Sequence, residues 1–189
     1  PPESRRFAEI CGIVDARCIH ATVADAADSL EGEKFDILYT GRGALCWLPD
    51  LDEWASICAK LVKPGGQIYL EESTPFVNTL EPRETSEGSL FAPKYDLFYE
   101  GPISEIGEGS YADPELEGER VTHCWEYRYD TVINALVKNG FQIESFVERD
   151  ELFFDPWPDK FEPSRPNYWR LKEDEVRFPL SFTLKARRV

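Results

Sequence analysis

The stretch Phe35-Asp36-Ile37-Leu38-Tyr39-Thr40, the loop Gly41-Arg42-Gly43-Ala44-Leu45-Cys46-Trp47-Leu48-Pro49-Asp50-Leu51, and the later run Leu61-Val62-Lys63-Pro64-Gly65-Gly66-Gln67-Ile68-Tyr69-Leu70 decide the fold. Phe35 to Thr40 is apolar except for Asp36 and Thr40, the composition of a central parallel strand covered on both faces. Asp50 and Glu53 have capping-box spacing, so a helix is expected to start there. Leu51, Trp54, Cys58, Leu61 and Val62 put one apolar stripe on it. Gln67 to Glu71 is expected to be the next strand. Strand, loop, helix, turn and strand make one right-handed crossover of an open α/β sheet. Ligands of such sheets sit at the carboxyl ends of the strands, which directs attention to the loop after Thr40.

Working outward toward the N-terminus, Glu3 to Ile10 reads as a helix with Gly12 just past its end. Ala16 to Val23 reads as a short strand. Toward the C-terminus, Asp130 can cap a helix through Val132, Ile133, Leu136 and Val137 to Asn139-Gly140. Phe141, Ile143 and Val147 mark a strand. Phe178, Leu180, Phe182, Leu184 and Ala186 alternate with other residues, the period of a strand with two unlike faces.

The strand beginning Phe35-Asp36, the Trp47-Leu48-Pro49-Asp50-Leu51 loop and the Lys63-Pro64-Gly65-Gly66 turn resemble the middle of class I S-adenosylmethionine-dependent methyltransferases. The resemblance covers nearly the whole chain, from about the second helix of the family fold to its last strand. It implies a Rossmann-like sheet with helices on both faces and an antiparallel C-terminal edge pair. It also implies S-adenosyl-L-methionine as cofactor and a small-molecule methyl acceptor. Thr22 and Val23 stand where the family holds the adenine. Thr40, Gly41, Gly43 and Leu45 belong to the loop that follows the methionyl part. Thr74-Pro75-Phe76 stands where many relatives carry His-Pro, and Trp125-Glu126-Tyr127 matches a tryptophan-x-histidine stretch. Thr74, Phe76, Trp125 and Tyr127 are therefore the implied substrate residues, together with Trp47, which either walls the cleft or wedges beneath the loop as a structural residue. No catalytic residue is assigned, although Glu71 and Glu72 are well placed at a strand's carboxyl end.

No Gly-x-Gly turn precedes Phe35, and the chain begins Pro1-Pro2 with no methionine. An N-terminal portion carrying the family's cofactor motif is therefore expected to be absent, and methyl transfer to depend on its being supplied. The alternative is a truncated or inactive methyltransferase-like interaction module, pairing through an open sheet, with a homodimer as one form.

The 189 residues, 42% of them hydrophobic, suit a single domain over 1–189. Within it, 77–120 reads as an acidic, lid-like insert whose Phe91, Tyr95, Phe98, Tyr99 and Tyr111 favour packing. The net charge is −15, and residues 71–120 hold 13 acidic against 3 basic residues. Such a surface repels a phosphate backbone, so nucleic acid is not an expected partner, whereas small or cationic molecules are compatible. No apolar stretch is long enough for a bilayer. Five cysteines without framework spacing suggest reduced thiols and a cytoplasmic setting. Neither Cys18 with His20 nor His123 with Cys124 has the spacing of a zinc site, so no metal is expected.

Overall fold

The computed structural model describes residues 2–85, 88–108, 118–173 and 175–189. The first half of the chain runs through α1 (Pro2–Ile10), α2 (Ala26–Ser29), β1 (Phe35–Gly41), a 3-10 turn (Leu45–Trp47), α3 (Leu51–Leu61) and β2 (Val62–Ser73). Then follow α4 (Pro75–Asn78), β3 (Leu80–Thr85), β4 (Gly88–Pro93), β5 (Ile103–Glu108) and β6 (Glu119–Cys124). The chain ends with α5 (Tyr129–Lys138), β7 (Phe141–Arg149), β8 (Phe161–Arg165), β9 (Tyr168–Leu171) and β10 (Ser181–Arg188).

The crossover forms as the residues dictate. Asp50 accepts the backbone N–H of Glu53 at 3.0 Å, satisfying a donor that the first turn of α3 would otherwise leave open. Leu51, Trp54, Ala55, Cys58 and Leu61 bury the inner face of that helix. β1 and β2 then pair in parallel, with Leu38 opposite Ile68 and Thr40 opposite Leu70. The Pro-Gly-Gly segment is a bulge inside β2 rather than a turn before it. Pairing jumps from Phe35–Val62 to Ile37–Gln67, and Gly65 takes φ +79°, a conformation that favours glycine.

The four-stranded sheet has the order β1-β2-β10-β7, with β10 antiparallel to both neighbours. The expected C-terminal antiparallel pair is therefore present. Its strand starts at Ser181 rather than Phe178, because Leu180 is already buried in a satellite cluster with Val77, Leu152, Phe161 and Leu171. The main core forms where α3 and α5 meet one face of the sheet. Ile68, Leu70, Leu184 and Leu136 are fully buried there, each worth roughly 1.5–3 kcal/mol of transfer free energy. Tyr129, Phe146 and Phe182 close its far side with centroids 5.0–5.2 Å apart.

Of the helix cover expected on both faces, the part that packs in this way is on one. The opposite face shows Ile37 and Tyr39 at 68% and 53% exposure, with Tyr39 stacked on Tyr69. Ala16–Val23 is not a strand. Among the described residues β1 has no partner on its outer side, and a strand without a ladder leaves its backbone groups unpaired. The insert carries two antiparallel strand pairs, β3–β4 and β5–β6. Ser86, Glu87 and 109–117, Tyr111 among them, lie outside the described residues. The 152–177 linker carries a third pair, the β8–β9 hairpin.

Candidate functional site

The carboxyl ends of β1 and β2 meet at two consecutive acids with different tasks. Glu72 accepts the backbone N–H groups of Gly43, Ala44 and Leu45 at 2.8, 2.9 and 3.1 Å, pinning the loop as an anion pins a nest of amides. Burial raises its pKa while these bonds oppose the shift. Glu71 points to the other side of β2. It accepts from Tyr168 at 2.5 Å, from Tyr39 at 3.2 Å and from the Arg42 guanidinium at 3.4 Å. Arg42 adopts φ +61° and also donates to the Tyr168 hydroxyl at 3.1 Å. Loop geometry is thus set by β2 and by a tyrosine from the β8–β9 hairpin.

Beside the pinned loop lies a cavity of about 430 Å³, within the ~300–1,000 Å³ usual for small-molecule sites. Leu45, Cys46 and Glu72 form one wall, the insert supplies Lys94, Tyr95 and Glu105, and Phe154 and Trp157 close the far side. The segment Cys124-Trp125-Glu126-Tyr127 also lines it. It is tied to the loop twice, because the Trp125 N–H donates to the Cys46 carbonyl at 2.9 Å and the Tyr127 hydroxyl donates to the Leu48 carbonyl.

Glu126 is half-buried and accepts from the Asn78 amide at 2.9 Å. Burial pushes its pKa up to about 7, with the nearby Glu72 charge adding to the rise and Asn78 opposing it. Burial likewise pushes the Cys46 thiol up to about 12. Among the described residues no group of three His, Cys, Asp or Glu side chains could hold a metal ion.

The residues singled out from sequence separate into two sets. Gly43, Leu45, Trp125 and Tyr127 are brought together around the cavity. Thr40, Gly41, Trp47 and Phe76 are not among its lining residues. A Cβ on Gly41 would lie 2.6 Å from the Glu71 carbonyl and 2.8 Å from the Tyr39 hydroxyl, so the close approach it permits is within the chain. Trp47 and Phe76 are exposed, the latter edge-on to Phe178. Thr74 is buried at the N-cap of α4, where it accepts from Val77 N–H at 3.3 Å and donates to the Pro179 carbonyl at 2.9 Å. Thr22 and Val23 are exposed away from the cavity, with Thr22 accepting the N–H of Asp25 before α2. Sequence reasoning passed over Glu126 and Asn78. The only sequence signal for Glu126 was its place inside the Trp125-Glu126-Tyr127 run.

No family model and no curated protein matches the chain. Solved structures do. A candidate S-adenosylmethionine-dependent methyltransferase from Listeria monocytogenes superposes with a TM-score of 0.65 at 19% identity, over 98% of this chain and 76% of that one. An S-adenosylmethionine-dependent methyltransferase from Clostridium acetobutylicum gives 0.56 at 11% identity, over 99% and 70%. One from Mesorhizobium loti gives 0.53 at 19% identity, over 83% and 63%. The chain thus has the class I S-adenosylmethionine-dependent methyltransferase fold and spans about two thirds to three quarters of the length of these structures.

Proposed function

We propose that this chain carries the acceptor side of an S-adenosylmethionine-dependent methyltransferase acting on a small molecule. The observation that supports this most is the aromatic-walled cavity at the carboxyl ends of β1 and β2, bounded by the pinned 43–45 loop and containing a carboxyl whose pKa lies near neutrality. Methyl transfer needs two reactants held in line and kept from water more than it needs elaborate acid–base machinery. Leu45, Phe154 and Trp157 supply the apolar walls, the bonds from Trp125 and Tyr127 hold the lining segment against the loop, and Glu126 can hold or accept a proton at its free oxygen.

The fit to S-adenosyl-L-methionine itself is incomplete. The N–H groups of Gly43, Ala44 and Leu45 are already taken by Glu72, and Thr22 and Val23 stand off the cavity. These residues therefore offer S-adenosyl-L-methionine no free donors as they stand, and adenosyl binding has to draw on other groups bordering the cavity. The net charge of −15 suits a small neutral or cationic acceptor rather than a nucleic acid, and reduced cysteines suit the cytoplasm. No helix among the described residues is long and apolar enough to cross a membrane.

The exposed Ile37 and Tyr39 and the edge of β1, unpaired among the described residues, favour a second function, an interaction module that pairs through its sheet, as a homodimer or with another chain. Calorimetric titration with S-adenosylhomocysteine separates the two. Heat of binding from a folded sample supports methyl transfer. A folded chain that gives none, and sediments as a dimer, overturns methyl transfer and leaves the module.

A further inference from the structure

We propose that the cavity takes an organic amine as its acceptor, bound as the ammonium ion with nitrogen at Glu126 and an apolar stem against Phe154 and Trp157. The term acceptor rests on the methyl-transfer function proposed above, whereas the amine site rests on the cavity.

Four carboxylates line the cavity and one ammonium group faces them, that of Lys94. Three of the four are committed. Glu72 is occupied by the three loop amides. Glu81 accepts from Arg83 at 3.1 Å. Glu105 accepts from the Tyr95 hydroxyl and lies 3.7 Å from the Lys94 ammonium. Glu126 has only the Asn78 amide, on Oε2, and its Oε1 has no hydrogen-bond partner among the described residues. A carboxylate accepts several hydrogen bonds, so Glu126 has capacity that the protein does not use.

The surroundings select what could fill that capacity. An anionic ligand would meet an excess of negative charge. A neutral hydroxyl would leave the charge of a carboxylate already desolvated by burial uncompensated. An ammonium group neutralises it and gains charge-assisted hydrogen bonds, and the Trp157 ring attracts cations, the Tyr95 ring being taken by the Lys94 ammonium at 4.8 Å.

The same geometry prepares the amine to react. One N–H bond of the ammonium breaks, the proton passes to Oε1 of Glu126, and the electron pair stays on nitrogen. An ion pair becomes a neutral carboxylic acid and a neutral amine, and the burial that raises the Glu126 pKa makes this transfer less uphill than to an ordinary carboxylate. The Glu126 pKa near 7 agrees with a group able to carry either state.

The test is calorimetric titration of the chain, near pH 8 and without cofactor, with phenethylamine, 2-phenylethanol and 3-phenylpropionate. The amine is expected to bind about tenfold or more tightly than either isostere, the worth of one hydrogen bond to a charged group. In Glu126→Gln, checked for folding by thermal melting, that preference is expected to vanish while binding of the alcohol is retained. Equal binding of all three probes, a preference surviving in Glu126→Gln, or no binding of the amine by folded wild-type chain overturns the proposal. Amine binding by a chain that does not bind S-adenosylhomocysteine leaves the amine site and removes methyl transfer. S-adenosylhomocysteine binding without amine preference does the reverse.

Discussion

The Glu72 carboxylate accepts the backbone N–H of Ala44 at 2.9 Å, and because the same carboxylate also holds Gly43 and Leu45, one side chain of β2 sets the path of the loop that borders the cavity. The loop's shape therefore depends on a residue 28 positions away in sequence rather than on its own composition.

Glu72→Gln tests that dependence. The amide keeps one acceptor oxygen but turns an NH₂ toward amides that also donate. The substitution is expected to destabilise the fold by about 1–3 kcal/mol in denaturant melts. Amide exchange should speed up at Gly43, Ala44 and Leu45 first. Unchanged protection at these three would show that Glu72 does not hold the loop.

Glu126 makes stability depend on pH in a direction opposite to an ion-paired acid. Its folded pKa of about 7 is above the ordinary 4.5, so its contribution is fully present below about pH 4.5 and is lost as the pH rises through 7. At roughly 1.4 kcal/mol per pKa unit, the loss amounts to about 3 kcal/mol at most. Glu126→Gln does not titrate. Its stability relative to wild type should rise across that window in paired melts, and a flat difference would remove the assigned shift.

Tyr168 and Tyr39 both donate to Glu71, at 2.5 and 3.2 Å. Tyr168 is buried, also accepts from Arg42, and its loss removes the shortest of the three bonds to a buried carboxylate and the one donor on Oε1 among the described residues. Tyr39 is exposed, and water can take its place. Tyr168→Phe should cost about 1–3 kcal/mol and Tyr39→Phe well under 1 kcal/mol in urea melts. Equal costs would contradict this difference in burial.

The cysteines should react unequally. Burial pushes both Cys46 and Cys58 up to about 12, so almost no thiolate is present at neutral pH, whereas Cys11 is exposed. Peptide mapping after brief iodoacetamide treatment should find Cys11 alkylated and Cys46 and Cys58 intact until denaturant is added. Early labelling of Cys46 would mean that the cavity wall opens.

What the sequence by itself determined was local or periodic. The Asp50–Glu53 cap joins residues three apart, the Leu51 to Leu61 stripe repeats with the helix, and the alternation at Phe182, Leu184 and Ala186 follows the pleat. Each is a property of neighbours along the chain, so helix, crossover and terminal strand were legible. Ala16 to Val23 also read as a strand, but a strand exists only when paired, and pairing is not local. Thr74 matched a family substrate position, and only the folded chain ties its hydroxyl to the Pro179 carbonyl, 105 residues on. Glu126 was one glutamate among many until burial in the cavity wall raised its pKa, against the bond from Asn78 48 positions earlier, and left one of its oxygens free. Burial, desolvation and hydrogen bonds between distant segments come into being only when the chain closes on itself, and they decided which residues line the cavity.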